Sequence, residues 1–166
     1  DVPGLKDAAM TTDDLLDMTR APASVLICRA DFIEVEMANI LATFGCKVVL
    51  ATEAPRILAR EDHDTSQRVA QALREQGVEV VTRASLTSVK KKKGGFTCRL
   101  AGPKERTVEV ARVLVSSRAP NTAEIGLDKL GMKLNDDGSI HVQDTLETSV
   151  AGIYAIGDCT GGWMLT

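Results

Sequence analysis

Arg29, Asp31 and Glu34 follow an apolar run and precede a segment with helical periodicity. Asp31 and Glu34 are three residues apart, the spacing of a capping box in which each side chain accepts a backbone N–H of the helix start. A helix that begins with its own carboxylates has fewer free N–H groups for an incoming anion, and it repels that anion by like charge. Arg29 could offset part of this repulsion by pairing with the anion or with Asp31.

Four cysteines and two histidines offer little further chemistry. Their positions exclude a CxxC metal pair or redox dithiol, so we interpret the cysteines as separate, mostly buried thiols. His63 and His141 match no catalytic motif, and we expect both at the surface. Free thiols favour a reducing intracellular compartment, cytoplasmic or mitochondrial, which the sequence does not resolve. The cysteines are Cys28, Cys46, Cys98 and Cys159.

The composition predicts one globular domain that contacts neither nucleic acid nor a membrane. The chain has 166 residues, 44% hydrophobic content and a formal net charge of −3. No apolar run approaches the roughly 18 residues of a membrane span. The one basic run, Lys90 to Lys93, precedes Gly94-Gly95 as expected for a solvated turn. Because the sequence starts with "DVPGLKD", we expect a piece of a longer chain.

The elements around Arg29 follow a strand-helix-strand pattern. The run from Ser24 to Cys28 predicts a strand buried on both faces, and a helical stripe then ends near Gly45. Residues 46–52 predict the second strand, and a helix over 64–77 leads to a third strand over 78–84. These strands should be parallel with right-handed crossovers.

From Leu86 onward the pattern changes to alternation. A hairpin around Gly94-Gly95 and a further strand segment over 106–116 predict a three-stranded antiparallel meander that leaves the parallel sheet and returns. The tail should add two short strands, the last being "GIYAI". We therefore divide the predicted domain into a leading segment (1–22), a core with meander (23–122) and return strands (123–166).

Three strings give this order of elements a family resemblance. They are "EAPRILAREDHDTSQRVAQALREQGVEVV", "SSRAPNTAEIGLDKLGMKLNDDGSIHVQDTLETS" and "GIYAIGDCTGGWML", of which the last contains the family's "GIYAIGD" turn. They resemble the pyridine nucleotide-disulfide oxidoreductase family, most closely dihydrolipoamide dehydrogenases, with mercuric and glutathione reductases sharing the framework. The resemblance implies an α/β, three-layer FAD/NAD(P)-binding Rossmann-like fold and the cofactors FAD and NAD. It also implies a homodimeric full-length parent with an FAD domain bearing a CxxxxC pair and a dimerisation domain bearing a His-Glu pair.

The resemblance also locates the departures at the nucleotide site. The resemblance aligns the family's G-x-G-x-x-G fingerprint with residues 29–34. Its three glycine positions hold Arg29, Asp31 and Glu34, with Ala30 between the first two, so all three glycines are absent. The acid that holds the adenosine ribose aligns with Thr52, and Glu53 follows one residue late, where strand alternation predicts the opposite side. No basic pair replaces that acid, so the sequence does not predict a preference for NADP.

Other family positions are partly retained. Ser117 stands where a glycine precedes the arginine, and Glu36 keeps the acid that faces the nicotinamide end. Gly157 and Asp158 keep the turn whose aspartate contacts the flavin ribityl chain in the family, while Trp163 replaces a proline.

The sequence is compatible with two functions. One is the NAD-binding domain of a dihydrolipoamide dehydrogenase-like flavoenzyme, which passes electrons between NAD(H), flavin and a redox disulfide and is inactive as an isolated piece. The other is a degenerate pseudoenzyme or scaffold domain that keeps the fold and no longer binds NAD.

Overall fold

The computed structural model describes residues 2–162. It divides the chain into two compact units, Asp1–Ser116 and Ser117–Thr166. Trp163, which the resemblance aligns with a proline, lies outside the described residues. The proposed boundaries at residues 22 and 122 stay predictions.

A parallel sheet forms the centre of the first unit. Its order, β1-β8-β2-β3-β4, places β2 between β3 and β8, and each neighbouring pair is parallel. Continuous apolar runs form the central strands because both of their faces are covered. Thus Val25, Leu26 and Ile27 are all fully buried. The strands are β1 (Ala9–Met10), β2 (Ser24–Cys28), β3 (Lys47–Ala51), β4 (Glu79–Val81) and β8 (Arg112–Val115).

Helices cover one face of this sheet. They are α1 (Thr12–Leu16), α2 (Phe32–Thr43) and α3 (His63–Glu75). Ala38 and Leu41 of α2, with Ala70 and Leu73 of α3, pack in one buried cluster with Val25, Ile27 and Leu114 of the sheet. Gly45 follows α2 with φ 80°, in the left-handed region expected after a helix end.

The antiparallel meander covers the opposite face. It consists of β5 (Ser85–Lys92), β6 (Gly95–Ala101) and β7 (Arg106–Val110), in that order. Its Cys98, Leu100 and Val108 pack with Leu26 and Val113 of the sheet in a second buried cluster. A side chain at Gly95 would collide with the Val110 carbonyl oxygen, which explains the glycine beside the hairpin. The first unit therefore has three layers, and the predicted fold class is confirmed.

Two sequence expectations differ from the structure in detail. Residues 106–116 form two strands, because the chain leaves β7 at Ala111 and enters the parallel sheet as β8. The Ala111 N–H donates to Ser24 Oγ at 3.0 Å, which holds this crossing point against the start of β2. The predicted strand over 78–84 is shorter, spanning Glu79–Val81.

The second unit has little regular structure in its described part. Instead of two short strands, single antiparallel bridges join Leu134 to Ile140, Val142 to Thr148 and Glu147 to Tyr154. A small buried cluster of Met132, Ile140 and Ala155 holds this unit together. Several large apolar side chains of this unit, including Ile125, Tyr154 and Ile156, are exposed, so the described tail buries only a small core. The expectation of two strands is wrong, because the chain forms single bridges there.

Candidate functional site

A cleft opens at the carboxyl ends of β2 and β3. It encloses about 400 Å³ and lies within the first unit. Ligands of open α/β sheets bind in such a crevice, beside the point where strand order reverses, and here that point is β2. The charged residues that line the cleft are Arg29, Asp31, Glu53, Arg56 and Arg60.

Side-chain carboxylates occupy the amides at the start of α2. Asp31 is the N-cap, and its Oδ1 accepts the Phe32 N–H at 3.1 Å. Glu34 Oε2 accepts the Asp31 N–H at 2.9 Å, and the Asp31 side chain accepts the Glu34 N–H. The predicted capping box is confirmed, so these first-turn donors already have acceptors within the protein.

Glu34 also makes a long-range contact that the sequence did not indicate. It is 2% exposed, and its Oε1 accepts a hydrogen bond from the Ser116 hydroxyl. Ser116 directly follows β8 and is 9% exposed. This buried bond joins α2 to the end of β8.

Arg29, which the family resemblance aligns with the first fingerprint glycine, has a backbone conformation that favours glycine. Its φ is 78°, in the left-handed region that glycine adopts without strain. The turn therefore has the geometry expected for a glycine, with an exposed arginine in that position. Arg29 Nη1 donates to the Ser116 carbonyl oxygen at 3.4 Å, a long hydrogen bond.

Thr52 and Glu53 both line the cleft, contrary to the expectation that Glu53 would lie on the opposite side. The alternation argument does not apply, because β3 ends at Ala51 before either residue. The Thr52 hydroxyl accepts the Ala54 N–H at 3.2 Å. Thr52 is buried and serves this turn, whereas Glu53 is exposed.

Arg56 and Arg60 belong to the cleft although sequence reasoning did not select them. They lie in the loop between β3 and α3. Arg56 Nη2 donates to the carbonyl oxygens of Ala59 at 2.9 Å and Glu61 at 2.8 Å. The Leu58 N–H donates to the Ala30 carbonyl oxygen at 2.7 Å, which brings this loop against the Arg29 segment. The sequence feature that could have identified them is the pair of arginines that follows the carboxyl end of β3 within a few residues.

The remaining candidate residues do not line this cleft. Glu36 is exposed on α2. In the second unit, Ser117 is exposed, and Gly157 starts a 3-10 turn with φ 77°. Asp158 Oδ2 accepts a hydrogen bond from Arg118 Nη2 at 3.3 Å.

The thiols do not have the electrostatics of nucleophiles. Burial, with a smaller effect of nearby Cys98, raises the pKa of Cys28 to about 12. Burial also raises the pKa of Cys46 and of Cys98 to about 11. At neutral pH these three groups are therefore thiols and not thiolates.

Residues 2–162 offer neither a metal site nor a membrane-spanning helix. They contain no group of three or more side chains suited to hold a metal ion. No helix in the same range has both the length and the apolar character needed to cross a bilayer.

The three layers, with the cleft at the β2 and β3 ends, define a Rossmann-like α/β domain. The chain belongs to the pyridine nucleotide-disulphide oxidoreductase family, whose sequence model matches residues 1–166. FAD and NAD are cofactors of this family.

Individual relatives agree with that assignment. The chain is 32% identical over 166 residues to dihydrolipoyl dehydrogenase of Staphylococcus aureus, covering 98% of this chain and 36% of the relative. It is 34% identical to the Acholeplasma laidlawii dihydrolipoyl dehydrogenase, with coverage of 99% and 49%. The structure of the HOCl-induced flavoprotein disulfide reductase RclA from Escherichia coli matches with a TM-score of 0.85 at 29% identity, covering 97% of this chain and 37% of that one.

The chain thus spans between about a third and a half of these relatives' lengths. Its residues at the start of α2 do not fit the family's way of holding a pyrophosphate on free helix amides, because Asp31 and Glu34 occupy those donors.

Proposed function

We propose that this chain is the NAD-binding part of a dihydrolipoamide dehydrogenase-like flavoprotein. In the complete protein, electrons would pass between NAD(H), flavin and a redox disulfide. The remaining FAD and dimerisation domains are the partners that this function requires, and the complete protein would be a homodimer. In the second unit, Asp158 would face the flavin ribityl chain, as the family resemblance implies.

We further propose that the cleft holds a dinucleotide more weakly than a glycine fingerprint does. The capping box at the start of α2 supports this most directly. Its carboxylates compete for the donors that a pyrophosphate needs, and they add like charge at the same place. This capping arrangement at the start of α2 needs no ligand to accept its hydrogen bonds.

A titration with NADH tests the proposal. Calorimetry would compare the natural chain with the double variant Asp31→Gly and Glu34→Gly. We expect the variant to bind NADH several-fold more tightly, because each removed helix-end carboxylate contributes roughly 0.3–1 kcal/mol.

The matched control is Asp64→Asn, which removes an acid from the first turn of a different helix, α3. Its NADH affinity should equal that of the natural chain. Equal affinity in the natural chain and the double variant would contradict the weakened-site proposal.

The scaffold function is the second candidate. The Glu34–Ser116 bond favours it, because the chain itself satisfies the buried polar groups at the helix start. The same titration separates the two functions: a scaffold domain would show no heat of NADH binding at millimolar ligand, and an NAD-binding domain would show saturation.

A further inference from the structure

Helices α2 and α3 differ in the side that they turn to solvent. The exposed residues of α3 are polar or charged apart from Ala72, as expected for a helix on the surface of a globular domain. On α2, by contrast, Ile40 is 41% exposed, and Phe44, which ends the helix, is 74% exposed. The charged residues of α2 are Glu34 and Glu36, and Glu34 is buried. Large apolar side chains therefore lie on the exposed side of α2 as well as on its buried side.

The exposed apolar residues of α2 belong to one line along the helix. Ile33, Met37, Ile40 and Phe44 follow one another at steps of four, three and four residues, which places their side chains next to each other. Ile33 and Met37 are half-buried. We call these four residues the α2 stripe. Apolar side chains grouped on an exposed surface mark a contact site, so the α2 stripe needs a partner.

We propose that the α2 stripe is the contact surface between two copies of this chain, whose α2 helices pair antiparallel about a two-fold axis. The contact goes beyond the proposed function, because neither NAD binding nor electron transfer requires it.

The spacing of the α2 stripe supports a second copy as the partner. The steps of four, three and four read the same in both directions. If the two-fold axis passes between Met37 and Ile40, then Met37 of one copy lies opposite Ile40 of the other. In the same arrangement, Ile33 lies opposite Phe44 at both ends. A two-fold interface requires this reciprocity, because residue i of one copy contacts residue j of the other and residue j contacts residue i.

Charge favours the antiparallel arrangement over a parallel one. Glu36 is exposed and precedes Met37 of the stripe. In a parallel pair, the two Glu36 carboxylates would face each other and repel. In the antiparallel pair they are about 7.5 Å apart along the helix axis, and the two helix dipoles oppose each other favourably.

The size of the surface predicts a weak dimer. A helix of 12 residues is about 18 Å long. A standard interface buries about 800 Å² of each partner, and one helix of this length covers less. We therefore expect a dissociation constant on the order of 10⁻⁵ M.

Sedimentation velocity of the natural chain tests the proposal. We expect a shift from monomer to dimer between about 1 μM and about 500 μM. Ile40→Lys should weaken the dimer by about tenfold or more, because it places a charge at the apolar contact. The new lysine follows Glu36 by four residues, a pairing that supports the helix, so the variant should fold, as circular dichroism would check.

Gln71→Lys is the matched control. It introduces the same side chain at an exposed position of α3, where Glu75 follows by four residues. Its dimerisation should equal that of the natural chain.

Cysteine cross-linking tests the antiparallel geometry. One variant carries Ile33→Cys and the other Phe44→Cys, both with Cys159→Ser, which removes a half-buried native thiol. Under mild oxidation, an equal mixture should form disulfide-linked dimers, because these two positions lie opposite each other. Each variant alone should not, since its own two cysteines would be about 16 Å apart along the axis, beyond the reach of a disulfide.

Each result decides the proposal. A natural chain that stays monomeric over the whole concentration range overturns it, and the NADH titration then still tests the proposed function. Equal dimerisation of Ile40→Lys and the natural chain would mean that the copies meet through another surface. If Ile40→Lys does not fold, the cross-linking comparison decides alone: a mixture that links no better than either variant by itself refutes the antiparallel contact.

Discussion

Arg29 and Glu34, the residues that the family resemblance aligns with two fingerprint glycines, have opposite structural consequences. Arg29 preserves the left-handed turn at the expense of strain, and Glu34 replaces a close packing position with a buried carboxylate. The backbone conformation of Arg29 is unfavourable, whereas the Glu34 carboxylate accepts hydrogen bonds from the Asp31 N–H and the Ser116 hydroxyl. Stability measurements can therefore distinguish the two positions.

Arg29→Gly should raise the melting temperature. Relief of the left-handed conformation contributes roughly 1–2 kcal/mol, and the extra entropy of an unfolded glycine offsets about 0.5–1 kcal/mol. The difference, up to about 1.5 kcal/mol, corresponds to a gain of up to about 6 °C for a chain of this size. Arg29→Ala is the control, since alanine keeps the strain. Equal melting temperatures for the two variants would contradict the strain argument.

Glu34→Ala should lower the free energy of unfolding by about 2–3 kcal/mol. The change leaves the Ser116 hydroxyl and the Asp31 N–H without their buried acceptor, and each unsatisfied group costs roughly 1–3 kcal/mol unless water reaches it. Urea unfolding measures the effect. Glu36→Ala, at an exposed position of the same helix, should change stability by less than about 0.5 kcal/mol. If Glu34→Ala changed the free energy of unfolding as little as Glu36→Ala, the hydrogen bonds of Glu34 would not stabilise the fold.

At the scale of elements, predictions from sequence succeeded where a local pattern determines the structure. Residues close together in sequence form the buried runs of β2 and β3 and the capping box of α2. The pattern failed in the tail, where residues expected to form strands make single bridges. It also gave no sign of the two-residue strand β1, which is defined by its pairing with β8.

The start of α3 offers a pH-dependent test of helix capping. Asp62 is its N-cap, and the hydroxyl and backbone N–H of Thr65 donate to the Asp62 carboxylate. These bonds lower the pKa of Asp62 from its usual value of 3.8. The folded state therefore favours the carboxylate, so this stabilisation is present above the usual pKa and is lost as pH falls through the lowered one.

We expect Asp62→Ala to reduce the melting temperature at neutral pH and to lose its effect in strongly acidic buffer. Thermal melts over a pH series of the natural chain and the variant would measure this. Asp64→Ala, in the first turn of the same helix, should have a smaller effect because Asp62 supplies the cap. A difference between natural chain and Asp62→Ala that persists unchanged into acid would contradict the assigned cause.

At the scale of the whole molecule, the site depends on contacts that no single segment encodes. Ser116 meets Glu34 across 82 positions of sequence, and the loop carrying Arg60 meets Ala30 only after β2 and β3 have paired. The location of the cleft could be predicted, because the strand-helix-strand order fixes the carboxyl edge of the sheet. Arg29 was also identified from the sequence, but the contribution of Arg56 and Arg60 to the cleft and the partner of Glu34 could not be, since both arise from tertiary packing.

The same packing should protect the thiols. Burial raises the pKa of Cys28, Cys46 and Cys98, so iodoacetamide at neutral pH should label these three slowly in the folded chain. Mass spectrometry of the folded and urea-unfolded chain would locate the label, and all three should react once unfolded. Rapid labelling of Cys28 in the folded chain would instead indicate a reactive thiol at the cleft.

Catalysis of lipoamide reduction would need groups that this chain of 166 residues does not contain. Its four cysteines form no CxxxxC pair, and neither histidine lies in a catalytic motif. We therefore expect no NADH oxidation above a protein-free control when the chain is mixed with NADH, lipoamide and FAD. The absorbance of NADH measures this, with an intact dihydrolipoamide dehydrogenase as the positive control. Because the expectation concerns disulfide chemistry and not ligand affinity, it should hold equally for the Asp31→Gly and Glu34→Gly double variant. Turnover by either protein would show that the disulfide chemistry can proceed without a paired dithiol and its acid-base histidine.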